Sequence, residues 1–363
     1  MNSNNIVVIA AISSRLYVQA AVDAGFEVIA IDAFADVDTQ KLAIKNIQID
    51  IVDGQFHHQQ LLAVLNQIDV NSCIGFCYGA GFEAQPALLA EIANLLPVIG
   101  NNAAAVNKCK QPQQFFALCD TLKIAYPETV FEKPNSTLSW LQKTTGASGG
   151  IHIKPVLPLN IEATQQVYYQ KIQAGTPISC LFLADGKQGQ VLGFNEQWCS
   201  PTVTAPYRFG GAVSHASVSD IAQHKLEAFV QAATAEWGLK GLNSCDVIVQ
   251  NDAVFVLEIN PRLSASLGLY VAKRGNLFAA HVASSQGLLV QWPTVEKQSR
   301  ALQIIYANQT AKVPPEMDWP DWVCDIPQPN SVIPAGMPIC SVMVEARTAK
   351  LAKKKVLERA ASL

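Results

Sequence analysis

The strand end Val256-Leu257-Glu258-Ile259-Asn260-Pro261-Arg262 carries the residues best suited to chemistry. Side chains alternate along a strand, so Glu258 and Asn260 share one face. A carboxylate and an amide oxygen side by side form a hard-oxygen set that suits magnesium or manganese. Leu257 and Ile259 are expected to point into the core. Pro261 cannot donate to the ladder and ends the strand. Arg262 then leaves the sheet beside the metal, where a guanidinium can grip a phosphoryl group. Asp246 lies on the preceding strand, across a turn at Gln250-Asn251-Asp252. Register decides its role: an odd loop sets Asp246 opposite Glu258, and an even loop turns it away.

Two further patterns handle phosphate and base. Lys143 ends an apolar stretch and is followed by Gly146-Ala147-Ser148-Gly149-Gly150. A buried-end lysine neutralises phosphate, and a glycine-rich turn lets backbone N–H groups approach phosphate oxygens. Tyr169-Gln170-Lys171-Ile172 ahead of Gly175 can offer Gln170 and backbone groups to an adenine edge.

These pieces need a scaffold. A chain of 363 residues is expected to form two or three domains, and half of it is hydrophobic. Ile6 to Ile12 is a continuous apolar run, as in a strand covered on both faces. A helical pattern through Leu16 and Ala24 ends at Gly25, and Phe26 to Ile31 is the next strand. This βαβ start predicts a parallel sheet. Helices are expected near 59–65, 86–95 and 112–122, with strands at 72–77 and 97–99. Beyond them come strands at 168–172, 178–184 and 190–195, a helix over 219–237, and the Asp246 hairpin at 245–249 and 253–259. A helix near 277–285, strands at 302–307 and 340–345 and a closing helix from Thr348 complete the pattern.

In order, lysine, glycine loop, polar linker, carboxylate hairpin and E-x-N-P-R strand end resemble the ATP-grasp superfamily. The resemblance implies an α/β fold: a Rossmann-like pre-ATP-grasp domain (1–100), a two-lobed α+β ATP-grasp domain (101–295, lid at about 127–172) and a small C-terminal α/β appendage (296–363). It implies ATP clamped under the lid and an acyl phosphate formed from a small carboxylate for attack by an amine. ATP-dependent carboxylation, a kinase-like reaction and a non-catalytic ATP-binding subunit are the alternatives. By resemblance Lys143, Gly149 and Gly150 contact phosphates, Gln170, Lys171 and Ile172 the adenine, Glu258, Asn260 and Asp246 the metal, and Arg262 the transferring phosphoryl group. Many members carry a lysine just before the helix that precedes the lid; here Lys108 and Lys110 both stand near that place, either or neither could serve, and Lys110 is carried as the candidate. Two departures are plain: Thr144 follows Lys143 where a proline is usual, and Ser13-Ser14-Arg15 replaces a glycine fingerprint, which argues against NAD despite Asp32.

Tyr78-Gly-Ala-Gly-Phe-Glu83, Gly100-Asn101, Gln114-Phe115-Phe116, Trp140-Leu141 and Pro338-Ile339-Cys340-Ser341-Val342 resemble ATP-grasp proteins encoded with tetrahydromethanopterin-pathway genes in methylotrophic bacteria. That implies work on a pterin-type one-carbon cofactor. For the substrate, Arg208 offers a cation to an anionic group. Tyr78 and Glu83 follow a strand end where such folds bind ligands, and Ser13 follows another. His215 has no nucleophile or carboxylate at a spacing that makes it a catalytic base.

The net charge of −3 gives no basic face for nucleic acid. No apolar stretch reaches the roughly 18 residues needed to span a bilayer, and no signal peptide is legible. The nine cysteines show no zinc spacing and are expected to be reduced core residues. A cytoplasmic enzyme is expected, with a homodimer compatible.

Overall fold

The computed structural model describes residues 5–136, 139–157, 166–291 and 298–363, with the backbone alone at 271–275. The first domain is built on parallel strands in the order Lys45–Gln48, Glu27–Asp32, Ile6–Ala10 and Cys73–Tyr78. Val7 to Ala10 are fully buried, as a strand covered on both faces requires. The helix Arg15–Asp23 returns between the first two strands, and Gly25 at φ +90° turns the chain out of it. The expected strand at 97–99 is only a single parallel bridge, Phe76 to Val98.

Asn102 caps a helix the sequence pattern did not reveal, Ala103–Lys110; its side chain accepts from the Ala105 N–H at 2.9 Å. Proline then stops it: Pro112 cannot continue the ladder and instead starts Pro112–Leu122 at its first turn. That break leaves Lys110 as the last residue of its helix. Over the next fifty residues lies a small antiparallel sheet in the order Thr129–Val130, Val167–Lys171, Trp140–Thr144, Lys154–Pro155. It occupies the predicted lid region, of which 137–138 and 158–165 lie outside the described residues.

The largest sheet runs Ala253–Asn260, Lys240–Gln250, Thr176–Asp185, Gly189–Cys199, Phe209–Ser214, Ser299–Tyr306, Pro338–Ala346, Val323–Cys324. The hairpin that carries Glu258 stands at one edge. The last three strands come from the C-terminal segment, so this segment extends the same sheet; its expected start at 296 lies outside the described residues. On one face pack the helices Pro112–Leu122 and Asp220–Trp237, with Phe115 against Phe229 and Trp237. On the other, the helix Arg274–Ser285 and the first domain's Arg15–Asp23 share one apolar cluster with Leu181, Leu183 and Leu242. The first domain is thereby fixed against the back of the sheet whose edge bears the carboxylates. Seven of the nine cysteines are buried; Cys199 is exposed and Cys324 half-buried, which departs from an all-core reading.

Candidate active site

The hairpin loop has two residues, Asn251 and Asp252, because Gln250 pairs with Ala253. An even loop should set Asp246 opposite Leu257 and turn it from Glu258. It does not, because the register slips between Asp246 and Val247: Val247 faces Val256, while Asp246 faces Glu258. Leu257 is the extra residue of a β-bulge, and the bulge brings the two carboxylates to one face. Leu257 is therefore not a core residue as expected. It is half-buried and lines the cleft, while Ile259 is fully buried.

Lys110 sits inside this set. Its Nζ donates to Glu258 Oε2 at 2.7 Å and to Asn260 Oδ1 at 2.8 Å. Of Lys108 and Lys110, it is Lys110, at the helix end, that bonds the carboxylate. Asn260 is held by its other end: Nδ2 donates to Asp246 Oδ2 at 2.8 Å, and Gln197 Nε2 donates to Asp246 Oδ1 at 3.1 Å. Asp246 thus aims the Asn260 amide oxygen into the cleft. Burial alone would raise the Glu258 carboxyl, but the adjacent Lys110 ammonium outweighs it and holds it low. Burial and the Glu258 charge push Asp246 the other way, up to about 6.

Arg262 leaves the strand end as expected, but its partner is Glu83. Its Nε donates to Glu83 Oε1 at 2.7 Å, and an Nη reaches Asn260 Oδ1 at 3.4 Å. Glu83 Oε2 accepts from the backbone N–H of Gly81 and Phe82. The turn after the Cys73–Tyr78 strand thus grips the guanidinium from the first domain. Burial opposes ionisation of Glu83, yet Arg262 and Lys110 keep it below the usual carboxylate range.

Lys143 lies above, 6 % exposed, and its Nζ donates to Gln170 Oε1 at 2.6 Å. Gln170 Nε2 donates on to Thr129. Burial pushes the Lys143 ammonium down to about 8. Gln170 therefore orients Lys143 instead of presenting its amide outward. Lys171 is exposed and paired with Glu128, and the backbone N–H groups of Lys171 and Ile172 donate to the Glu128 and Ser139 carbonyls. The glycine loop folds back over the cleft: the Phe209 N–H donates to Gly149 O at 2.9 Å. Gly150, at φ +75°, leaves no room for a side chain, because a Cβ would come 2.0 Å from Tyr207 O.

Between lid and sheet runs a pocket lined by Lys110, Phe115, Phe116, Tyr168, Leu257 and Glu258 together with Thr144, Gly146 and His152. One part of that lining is aromatic and aliphatic, and the other charged and glycine-rich. This suits a ligand with a flat apolar head and an anionic tail. His152 is a residue the sequence reading missed; among the described residues its buried Nδ1 has no partner, and burial pushes the ring down to about 4. Its place three residues beyond Gly149 was the available signal.

Three substrate candidates lie elsewhere. Arg208 donates to Ser200 O, Ser200 Oγ and Gly336 O and stacks 3.6 Å over the Tyr306 ring, so it staples two loops. Tyr78 is buried, and its hydroxyl donates to Asn101 O and Pro261 O, which fixes the strand end ahead of Arg262. Ser13 hydrogen-bonds Asp325 outside the cleft.

Residues 116–266 match the family model for the ATP-grasp domain. Several solved structures are similar over nearly the whole chain. The L-amino acid ligase of Bacillus licheniformis superimposes with a TM-score of 0.71 at 12 % identity, over 98 % of this chain and 96 % of that one. N5-carboxyaminoimidazole ribonucleotide synthetase of Thermotoga maritima gives 0.69 at 12 %, over 98 % and 97 %. Rhizobium etli pyruvate carboxylase gives 0.74 at 12 %, and here the chain spans 37 % of the longer protein. No curated protein sequence matches it.

Among the described residues, no helix is long and apolar enough to cross a membrane.

Proposed function

We propose that this chain is a cytoplasmic ATP-dependent ligase that activates a small carboxylate as an acyl phosphate and passes the acyl group to an amine. The observation that carries the reading is the convergence of Glu258, Asn260, Asp246, Lys110 and Arg262 beneath a glycine-rich lid bearing Lys143. The donors fit magnesium. They are hard oxygens, and the Lys110 ammonium already bonds two of them at 2.7 and 2.8 Å, which marks the spot as one that takes a cation. Glu258 and the Asn260 amide oxygen would hold the ion, with Asp246 completing the set. Magnesium there supplies charge neutralisation between the phosphates.

The chain's own residues do the rest. Lys143 and the N–H groups around Gly149 and Gly150 hold the phosphates, and the Phe115, Phe116, Tyr168 and Leu257 wall takes the base. Arg262, anchored by Glu83, faces the oxygens of the transferring phosphoryl group, where positioning and charge dominate the barrier. The closed lid keeps water from the acyl phosphate. The resemblance to tetrahydromethanopterin-associated proteins supports a place in building a pterin-type cofactor. The folds it shares with a ligase and with carboxylases support the chemistry at the coarser level.

Magnesium-dependent release of ADP, screened against acids paired with amines or with bicarbonate, tests this. Release that requires both an acid and an amine is expected. Release driven by bicarbonate alone, or none with any pair, would sink the ligase reading.

The Lys143 ammonium sets an alkaline limit. Its charge is present below about 8 and lost above, so the KM for ATP should climb as pH rises through that value, while Lys143→Arg, which keeps its charge, should flatten the climb. A KM for ATP unchanged from pH 7 to 9.5 in the unaltered chain would remove Lys143 from the phosphates.

A further inference from the structure

His152 sits in the turn that closes the glycine loop, where the Ile153 N–H donates to Gly150 O at 3.2 Å. The loop is pinned on both sides. Toward the first domain, Gly146 lies so close to Ala84 that a Cβ would come 2.8 Å from the alanine Cβ. Toward the large sheet, Gly149 and Gly150 rest on Tyr207 and Phe209. That shelf is itself fixed: Arg208 donates to Ser200 O and Gly336 O, and the Tyr306 hydroxyl donates to Phe209 O at 2.8 Å. The histidine is therefore held in place by the fold before any ligand arrives, as a preorganised binding group must be.

The imidazole lines the pocket together with Lys110, Thr144, Gly146 and Glu258. As a residue His152 is half-buried, but its Nδ1 is buried and has no hydrogen-bond partner among the described residues. Buried polar atoms are almost always paired, and one left open on the wall of a cleft points to a partner that comes with the ligand.

The ring's neighbours say which part of a ligand that is. The charges that bear on it are those of Glu258, Lys143 and Lys110, which mark the anionic end of the pocket. Phe115, Phe116 and Leu257 form the apolar end. Two ammonium groups and the glycine-loop N–H groups gather oxygen acceptors around the ring. Burial is the main reason the empty ring is neutral, and a neutral imidazole can carry its one hydrogen on either nitrogen. The Ser148 carbonyl favours a proton on the ring, and an oxygen acceptor at Nδ1 would favour one there.

We propose that His152 donates from Nδ1 to a phosphate oxygen of the bound nucleotide, as a binding residue beside Lys143 and the N–H groups of the glycine loop. This rests on the nucleotide reading of the pocket and adds to it a contact made by a side chain of the loop.

Calorimetric titration of magnesium-ATP into the full chain tests it, with the Tm of each free protein read in parallel. An Asn side chain hangs its amide from the same Cγ as Nδ1, whereas a Gln amide overlies Nε2. His152→Ala and His152→Gln should raise the Kd for magnesium-ATP by about 10- to 50-fold, the usual worth of a hydrogen bond to a charged group, while His152→Asn should stay within about 3-fold of the unaltered chain. The free Tm of His152→Asn should hold within about 2 °C or rise, because the donor it replaces has no partner until nucleotide binds. An unchanged Kd in His152→Ala overturns the inference. So does a Kd raised as much in His152→Asn as in His152→Ala, or a fall in Tm shared by all three variants, since a merely structural ring would behave in those ways. Failure of the unaltered chain to bind magnesium-ATP would instead sink the nucleotide reading, and this contact with it, so the two failures are distinguishable.

Discussion

Glu258→Gln should lower the rate of magnesium-dependent ADP formation by about 10³ or more, which is roughly 4 kcal/mol of lost transition-state stabilisation. The change is nearly isosteric. It keeps an oxygen within reach of Lys110 and leaves the Asp246 to Asn260 bond in place. What it removes is the carboxylate charge that Lys110 holds ionised and that a divalent ion needs. The stabilisation of the protein by magnesium and nucleotide should shrink in the same variant. A variant that still turns over ATP at a tenth of the original rate would place the metal elsewhere.

Arg262→Met is expected to act twice. Activity should fall by about 10²–10⁴, mostly in kcat, because under the proposed function Arg262 acts on the transferring phosphoryl group while Lys143 and the lid hold the nucleotide. Stability should fall by about 3–5 kcal/mol, the usual cost of leaving one member of a buried pair alone. Glu83 is that member: its side chain is 4 % exposed, and it keeps only its backbone donors. With its carboxyl held below the ordinary value, the pair contributes stability above the usual glutamate pKa and loses it as pH falls through the native value. The double variant Arg262→Met, Glu83→Gln should therefore recover much of the stability and none of the activity. Recovery of both would reduce Arg262 to a strut. Urea denaturation and steady-state ADP release check the two halves separately.

Much of this architecture is legible in the chain. The Ile6–Ala10 apolar run, the Gly25 stop and the Pro112 start are local signals, and they hold because short-range sterics and burial act on the same residues. The E-x-N-P-R strand end is legible for the same reason, since alternation alone puts Glu258 and Asn260 together. What failed to show depends on long-range contacts. The bulge at Leu257 has no glycine or proline to announce it, so loop parity, on which the reading of Asp246 turned, could not give its register. Glu83 reaches Arg262 across 179 residues, and Gln197 reaches Asp246 across 49. Arg208 looked like an anion site because its Tyr-Arg-Phe-Gly-Gly setting resembles an exposed loop; its donors are consumed by carbonyls brought from Ser200 and Gly336. Lys108 and Lys110 are two residues apart, and only the helix break before Pro112 separates their reach.

Lys110 also acts as a tethered counterion. Because it hangs from the end of a fixed helix, its ammonium is present near Glu258 and Asn260 at an effective concentration that no free ion in the cell approaches. A divalent ion entering alone must displace it, whereas one arriving with nucleotide brings phosphates that give the displaced ammonium somewhere to go. Metal and ATP should then load as a unit, with the lysine handed from protein carboxylate to substrate phosphate. Under the proposed function, such an exchange would guard the cleft against idle metal.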